Sequence, residues 1–156
     1  MNMKLLGRLK DIILESRDYD WALEFNNPMA LIQTSPSDWD GLVKGSKGRL
    51  KFEEMWYGVR SGVKNLNNSY FKRGNNTLEG IFKVYAPYGH GSNDPENYAK
   101  VVGEWMGVSV EEPLTFEKHG RKLAKSIINF ETGIPVGSNG GVTYKDFNTG
   151  FNAAIM

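Results

Sequence analysis

Asn-Asn-Pro-Met-Ala-Leu-Ile, residues 26–32, opens the stretch that decides the fold of this chain. The stretch continues through a polar segment, Ser-Pro-Ser-Asp-Trp-Asp-Gly at residues 35–41, and ends in Phe-Glu-Glu-Met-Trp-Tyr-Gly-Val-Arg at residues 52–60. An Asn-Asn-Pro turn, a short apolar strand, a tryptophan in a glycine-bounded turn and an entry into a helix therefore follow one another. This order predicts a small β-hairpin around residues 29–52, followed by a helix.

Size and composition indicate one domain with a single hydrophobic core. The chain has 156 residues, of which 40% are hydrophobic, which is enough to fill the core of one domain. Its formal net charge of +1 provides no field for a polyanion, so we expect no nucleic-acid partner. No apolar run approaches the roughly 20 residues that span a bilayer, so we expect no membrane span. The first residues also lack the pattern of a secretory signal.

Metal and cofactor chemistry find little support in the sequence. The absence of cysteine excludes disulfides and thiolate metal sites. The two histidines, His90 and His119, lie far apart in the sequence and do not form a His-rich metal motif. No glycine-rich phosphate loop follows a strand and opens a helix. We therefore expect no metal and no cofactor.

The pattern of apolar residues outside the hairpin predicts helices. Apolar residues recur at helical spacing in residues 4–17, and a further turn of helix is expected at residues 21–23. Strands are expected at Met29–Gln33 and at Leu50 and Phe52. The remaining predicted helices cover residues 53–72, 78–85, 95–106 and 115–132.

Local signals define where several of these helices begin and what crosses them. Asn76 followed by Glu79 predicts a variant capping box, and Asp94 before Pro95 predicts an N-cap. Gly58 and Gly62 weaken their helix by roughly 1 kcal/mol each relative to alanine. Their spacing predicts that another element crosses closely there.

The last part of the chain differs in composition from the rest. From Ile134 onward it is rich in glycine and asparagine, yet it contains several large apolar residues. We interpret residues 1–133 as one domain and residues 134–156 as an arm that docks on the body or on a neighbour.

Five short motifs occur in order within residues 25–133. They are Asn26-Asn27-Pro28, Trp39-Asp40-Gly41, Phe52-Glu53 with Tyr57-Gly58-Val59-Arg60, Tyr85-Ala86-Pro87 and Glu131-Thr132-Gly133. This collinear set resembles a family of small phage-encoded proteins, described as virion structural proteins with a lysozyme-like fold. The chain departs from the family at Met29–Leu31, where the family has Gly-Asn-Ile.

The resemblance implies a fold and a setting. The fold class it implies is α+β, mainly α: a lysozyme-like single domain with a small β-hairpin and a carboxy-terminal arm. It also implies location in the virion, synthesis in the host cytoplasm without a signal peptide, and two kinds of partner. These are other virion proteins, through the arm, and the glycan strands of peptidoglycan.

A second similarity concerns Glu15. Bacterial glucosaminidases of lysozyme-like fold place a catalytic Glu-Ser at a helix end, ahead of an Asn-Asn turn, and this resembles Leu14-Glu15-Ser16 followed by Asn26 and Asn27. The similarity implies Glu15 as the general acid of glycoside hydrolysis, and Glu53 or Glu54 is available as the second carboxylate. The alternatives are a solvated helix residue for Glu15 and stabilisation of a helix amino terminus for Glu53.

Aromatic and amide side chains complete the candidate site. Trp56 and Tyr85 would stack on sugar faces, and Asn26 and Asn27 would hydrogen-bond an N-acetyl group. The alternatives are core packing for the aromatic rings and turn capping for the asparagines.

Two functions from different classes follow from these patterns. The first is a virion-associated protein that acts on or near peptidoglycan and hydrolyses its glycan strands during entry, as a muramidase- or glucosaminidase-type enzyme. The second is a non-catalytic virion structural or assembly protein that retains the fold as a building block. The sequence leaves open whether the protein is an enzyme.

Overall fold

The computed structural model describes residues 21–35 and 38–156. Within them the fold is mainly helical with one small antiparallel sheet, so the predicted class of α+β, mainly α, is confirmed. The elements in chain order are β1 (Ile32–Gln33), β2 (Gly48–Arg49), α1 (Met55–Ser69), a 3-10 helix (Phe71–Arg73), α2 (Leu78–Tyr85), α3 (Pro95–Met106), α4 (Phe116–Thr132) and α5 (Tyr144–Ile155). Residues 21–24 are also helical, as predicted. The predicted helix over residues 4–17 lies outside the described residues.

The hairpin is present but its strands are shorter than predicted. Ile32 pairs with Arg49 and Gln33 pairs with Gly48, and Leu42 and Phe52 form an isolated bridge further along. Met29 does not start a strand, because Ala30 adopts a left-handed backbone with φ +57. That conformation belongs to turns rather than to extended chain. The return strand lies at Gly48–Arg49 instead of at Leu50 and Phe52, which are buried beneath it with Leu31.

Helix boundaries follow local capping chemistry. The hydroxyl of Thr77 accepts a hydrogen bond from the Gly80 N–H, so Thr77 rather than Asn76 caps α2. The Asn76 side chain donates instead to the carbonyl of Leu114, which ties two loops together. Asp94 caps α3 ahead of Pro95, as predicted. Thr115 likewise caps α4 at its predicted start.

Helix α1 is the central element and is crossed closely on one face. A β-carbon on Gly58 would overlap the carbonyl oxygen of Asn26. A β-carbon on Gly62 would lie 2.5 Å from the sulfur of Met29. The close crossing predicted from the two glycines is therefore confirmed, and the crossing element is the turn that begins the hairpin.

The segment 134–156 contains helix α5, which the sequence did not predict. Phe147 and Phe151 of this helix are buried in the same hydrophobic core as Val59 and Val63 of α1. Arg121 of α4 lies over the Phe151 ring, 4.5 Å from its centroid, and donates a 2.7 Å hydrogen bond to Asn148. The segment therefore packs on α1 and α4 through its buried apolar side chains and through the contacts of Arg121.

Candidate functional site

A groove of about 300 Å³ lies where the hairpin, the loop after α2 and the end of α4 meet. Its lining includes Trp21, Arg49, Tyr85, His90, Asn93 and Glu131. We call it the Glu131 groove. Apolar walls with a few convergent polar groups are the usual composition of small-molecule and carbohydrate sites.

Among the described residues that line the groove, Glu131 is the only acidic one. It is the penultimate residue of α4, which ends in a left-handed Gly133 with φ +73. A carboxylate near a helix carboxyl terminus opposes the helix dipole, at a cost of about 0.3–1 kcal/mol. The position therefore lowers helix stability, as functional residues often do.

The Glu131 carboxylate is held by a tyrosine from the neighbouring helix. The Tyr98 hydroxyl donates a 3.0 Å hydrogen bond to Oε1 of Glu131. The Tyr98 ring is sandwiched between Phe82, with centroids 4.0 Å apart, and Phe130, with centroids 3.7 Å apart. Since both rings are stacked on it, Tyr98 has one available position, and its hydroxyl fixes the carboxylate at the groove wall.

Tyr85 connects the groove to the hairpin turn. Its hydroxyl donates a hydrogen bond to the carbonyl of Met29. Burial raises the pKa of the Tyr85 phenol well above its usual value, and the charges of Glu131 and Tyr70 raise it further. The phenol is therefore a neutral hydrogen-bonding group, and Tyr85 forms a fixed aromatic wall of the groove.

A cation and a histidine lie on other sides of the same groove. The Arg49 guanidinium is 4.9 Å from the centroid of the Trp21 ring, a cation–π contact that joins β2 to the helical turn at residues 21–24. His90 lies in the loop after α2 and is exposed to solvent. The groove thus combines a carboxylate, a guanidinium, an imidazole and two aromatic rings.

The predicted catalytic residues do not meet in this groove within the described part of the chain. Glu15 lies outside the described residues. Glu53 is exposed, and it is not among the residues that line the groove. Its backbone N–H donates a 2.8 Å hydrogen bond to Gly41, which anchors the start of α1 to the hairpin loop.

The side chains of Asn26 and Asn27 hydrogen-bond to the backbone of the hairpin. Asn27 is fully buried, and its side-chain nitrogen donates 2.9 Å hydrogen bonds to the carbonyls of Leu31 and Leu50. Its side-chain oxygen accepts a 2.9 Å hydrogen bond from the Leu31 N–H. Asn26 adopts φ +52 and donates to the carbonyl of Phe52. These bonds favour the alternative in which the two residues shape the turn.

Trp56 and Tyr85, the two predicted stacking residues, lie in different surroundings. Trp56 is half-buried on α1, stacked on Tyr57 with centroids 3.9 Å apart, and its indole N–H donates to Glu54. It does not line the Glu131 groove. Of the predicted site residues that the structure describes, Tyr85 is the one the groove contains.

Sequence reasoning missed Glu131, Arg49 and Trp21 as site residues. One signal for Glu131 was available. An acidic residue just before a helix-ending glycine opposes the helix dipole, and such an unfavourable position can indicate a functional role. No comparable signal marks Arg49 or Trp21, because their nearness to Glu131 depends on how the hairpin packs.

Neither a metal cluster nor a membrane helix is found in the part of the chain that the structure describes. Residues 21–35 and 38–156 contain no group of three or more His, Asp or Glu residues suited to holding a metal ion. None of the helices in these ranges is long and apolar enough to cross a membrane. No protein-family model matches the chain, and a comparison with curated proteins finds no significant match.

Proposed function

We propose that this chain is a phage virion-associated protein of lysozyme-like fold that binds peptidoglycan glycan strands in the Glu131 groove and hydrolyses them there. The observation that carries the proposal is the fixed carboxylate of Glu131 in a groove with aromatic walls. Hydrolysis of a glycosidic bond requires a carboxyl group beside the scissile bond and surfaces that hold the sugar rings. The groove supplies both.

The two carboxylates of such a reaction would be Glu15 and Glu131. An acid protonates the leaving oxygen, and a second carboxylate stabilises the cation or activates water. Glu15 remains the predicted acid. Glu131 replaces Glu53 as the second carboxylate in our proposal, because Glu53 is exposed and does not line the groove.

The other groove residues have roles consistent with a carbohydrate ligand. Tyr85 presents aromatic surface, and Asn93 presents a side-chain amide for hydroxyl or acetamido groups. Trp21 is buried beneath the Arg49 guanidinium and supports the groove wall instead. Arg49 supplies a guanidinium that suits the carboxylates of the stem peptide.

Three single substitutions test the proposal on purified peptidoglycan. Wild type, Glu15→Gln, Glu131→Gln and Glu53→Gln would be compared in turbidity and zymogram assays with walls from several bacteria. Glutamine keeps the size of each side chain, and at Glu131 it keeps an oxygen that accepts from Tyr98. We expect lysis to be lost in Glu15→Gln and Glu131→Gln.

Glu53→Gln is the matched control, and we expect it to lyse walls as wild type does. Circular dichroism spectra would show that every variant is folded. Full activity of folded Glu131→Gln would show that hydrolysis does not depend on the Glu131 carboxylate. Loss of activity in Glu53→Gln alone would return the second carboxylate to its originally predicted position.

The second candidate function is a non-catalytic virion component. It is favoured by the full internal use of the Asn27 amide and by the apolar residue Ile155, which is 55% exposed. Exposed apolar side chains beside a packed helix suit attachment to another virion protein.

Substitution rather than truncation tests this second function. Deletion of residues 134–156 would remove Phe147 and Phe151 from the core, so a failure to assemble would reflect unfolding. Ile155→Asp leaves the core intact, and the matched control Thr149→Asp changes an exposed residue of the same helix. Loss of incorporation into particles in Ile155→Asp alone, with no lysis by the wild-type protein, would support the structural role.

A further inference from the structure

A second groove, of about 230 Å³, lies between the end of α3, one face of α4 and the start of α5. Lys122, Lys125, Ser126 and Asn129 of α4 line it, together with two aromatic residues, Trp105 and Tyr144. We call it the lysine groove. In the part of the chain that the structure describes, it shares no lining residue with the Glu131 groove.

The aromatic residues of the lysine groove are exposed yet held in place. Trp105 is 44% exposed, and its ring contacts Phe130 edge-on with centroids 6.5 Å apart. Tyr144 is 60% exposed, and its ring lies against the backbone of Gly137 so closely that a β-carbon there would overlap it. Both rings are therefore exposed to solvent, and their contacts hold them in place.

The charge of the groove is positive and not compensated by its lining. Lys122 and Lys125 are three residues apart on α4, which places both ammonium groups on the same side of the helix. Within residues 21–35 and 38–156, none of the residues that line the groove is acidic. Among the described residues, neither lysine forms an ion pair, and Lys125 lies instead over the rings of Phe147 and Tyr144, 5.4 Å and 6.0 Å from their centroids.

The loop that closes the groove is braced by its own backbone. The Gly137 N–H donates a 2.8 Å hydrogen bond to Val142, and the Gly141 N–H donates a 3.1 Å hydrogen bond to Ser138. The hydroxyl of Thr132 bonds to the carbonyls of Ile128 and Ile134. The groove is thus formed before any ligand arrives, which lowers the entropic cost of binding.

We propose that the lysine groove binds a single sugar ring that carries an anionic substituent, either a carboxylate or a phosphate. The ring would lie against Trp105 and Tyr144, the anion would face Lys122 and Lys125, and Asn129 would hydrogen-bond a hydroxyl or acetamido group. The groove volume is below the roughly 300–1,000 Å³ of drug-sized sites, which fits one ring rather than a chain. This site is independent of hydrolysis at the Glu131 groove.

Nuclear magnetic resonance of the four tryptophan indole N–H groups tests the proposal, because it detects weak binding at a named residue. The probes are N-acetylmuramic acid, N-acetylglucosamine 6-phosphate, neutral N-acetylglucosamine and inorganic phosphate. We expect one or both anionic sugars to shift the Trp105 signal saturably. Comparison of the carboxylate with the phosphate identifies the source of the anion.

Matched variants assign the binding to the groove. Lys122→Gln/Lys125→Gln should weaken binding of the preferred anionic sugar about tenfold, since two charge-assisted contacts are lost. Lys100→Gln/Lys118→Gln removes two exposed lysines that do not line the groove and should leave the affinity unchanged.

Three results would overturn the proposal. They are the absence of a Trp105 shift with both anionic sugars, equal binding of neutral N-acetylglucosamine, and equal binding of inorganic phosphate. A lytic defect in Glu131→Gln with normal Trp105 shifts would separate this site from the proposed hydrolytic groove.

Discussion

Gly150 of α5 lies so close to Trp56 of α1 that a β-carbon on Gly150 would be 2.5 Å from the Trp56 carbonyl oxygen. The same β-carbon would be 2.6 Å from Cβ of Val59. One helix therefore packs against the backbone of the other at this point, and only glycine permits that distance.

Gly150→Ala should destabilise the protein by about 1–3 kcal/mol, because a backbone carbonyl cannot move aside as a flexible side chain would. Urea unfolding followed by circular dichroism measures the loss. Thr149→Ala, the adjacent exposed position, is the control and should unfold at or above the wild-type urea concentration. Wild-type stability in Gly150→Ala would mean that the two helices are further apart than described.

Asn27→Ala should cost about 2 kcal/mol or more, since it leaves the N–H of Leu31 and the carbonyl of Leu50 buried without partners. The carbonyl of Leu31 loses one bond but keeps the one from the Leu50 N–H. Thermal unfolding measures the effect. Asn68→Ala, an exposed asparagine on α1, should change stability little. A small effect at Asn27 would show that water replaces the lost bonds.

Ala30→Gly should stabilise the protein by roughly 0.5–1 kcal/mol. Alanine at φ +57 is strained, and glycine relieves this strain at a smaller entropic cost in the unfolded chain. Ala153→Gly in the last turn of α5 should have the opposite effect, a loss of up to about 1 kcal/mol. Destabilisation at both positions would contradict the left-handed conformation of Ala30.

Ser61→Ala should stabilise the protein by about 1 kcal/mol. The hydroxyl of Ser61 is buried in the face of α1 that joins the core, and it has no hydrogen-bond partner in the described structure. Ser69→Ala, at an exposed position of the same helix, provides the comparison in the same unfolding assay. If Ser61→Ala lowers stability, a partner for the hydroxyl must exist.

Stability should fall as the pH rises above about 10, in part through Tyr70. Burial raises the pKa of Tyr70 from 10.0 to about 12. The unfolded state therefore loses this proton first, and between these two values the folded state binds more protons than the unfolded state. The stabilisation is complete below pH 10 and is lost as the pH rises toward 12.

Tyr70→Phe should reduce that alkaline slope by up to about 1.4 kcal/mol per pH unit. Urea unfolding of wild type and variant at pH 8, 9, 10 and 11 measures it. The difference in stability between the two proteins should be constant at pH 8 and 9 and should change only above that range. Parallel curves at all four values would show that Tyr70 does not contribute.

The features that could be predicted from the sequence are those that depend on residues close together in the chain. Asp94 before Pro95, and Thr115 ahead of a run of helix formers, fix helix starts by local hydrogen bonds. Gly58 and Gly62 reveal a close crossing because glycines four apart share one face of a helix. Local chemistry was enough for these positions.

The features that could not be predicted depend on distant contacts. Helix α5 contains glycine, asparagine and threonine, whose helix propensities are poor, and packing on α1 overrides them. The Glu131 groove draws Trp21, Arg49, Tyr85 and Glu131 from four parts of the chain. Of these, Tyr85 was predicted to stack on a sugar because its side chain is aromatic, whereas the others become neighbours only through packing.

The contact between α5 and α1 also bears on how the protein is made. The two helices join residues roughly ninety positions apart, and pairing across such long stretches slows folding because the intervening loop must close first. During synthesis, Val59 and its apolar neighbours on α1 leave the ribosome long before Phe147 and Phe151 exist to cover them. The growing chain therefore exposes this apolar surface until residues 144–155 have been added, and chaperone binding at that surface is the expected fate of products that lack them.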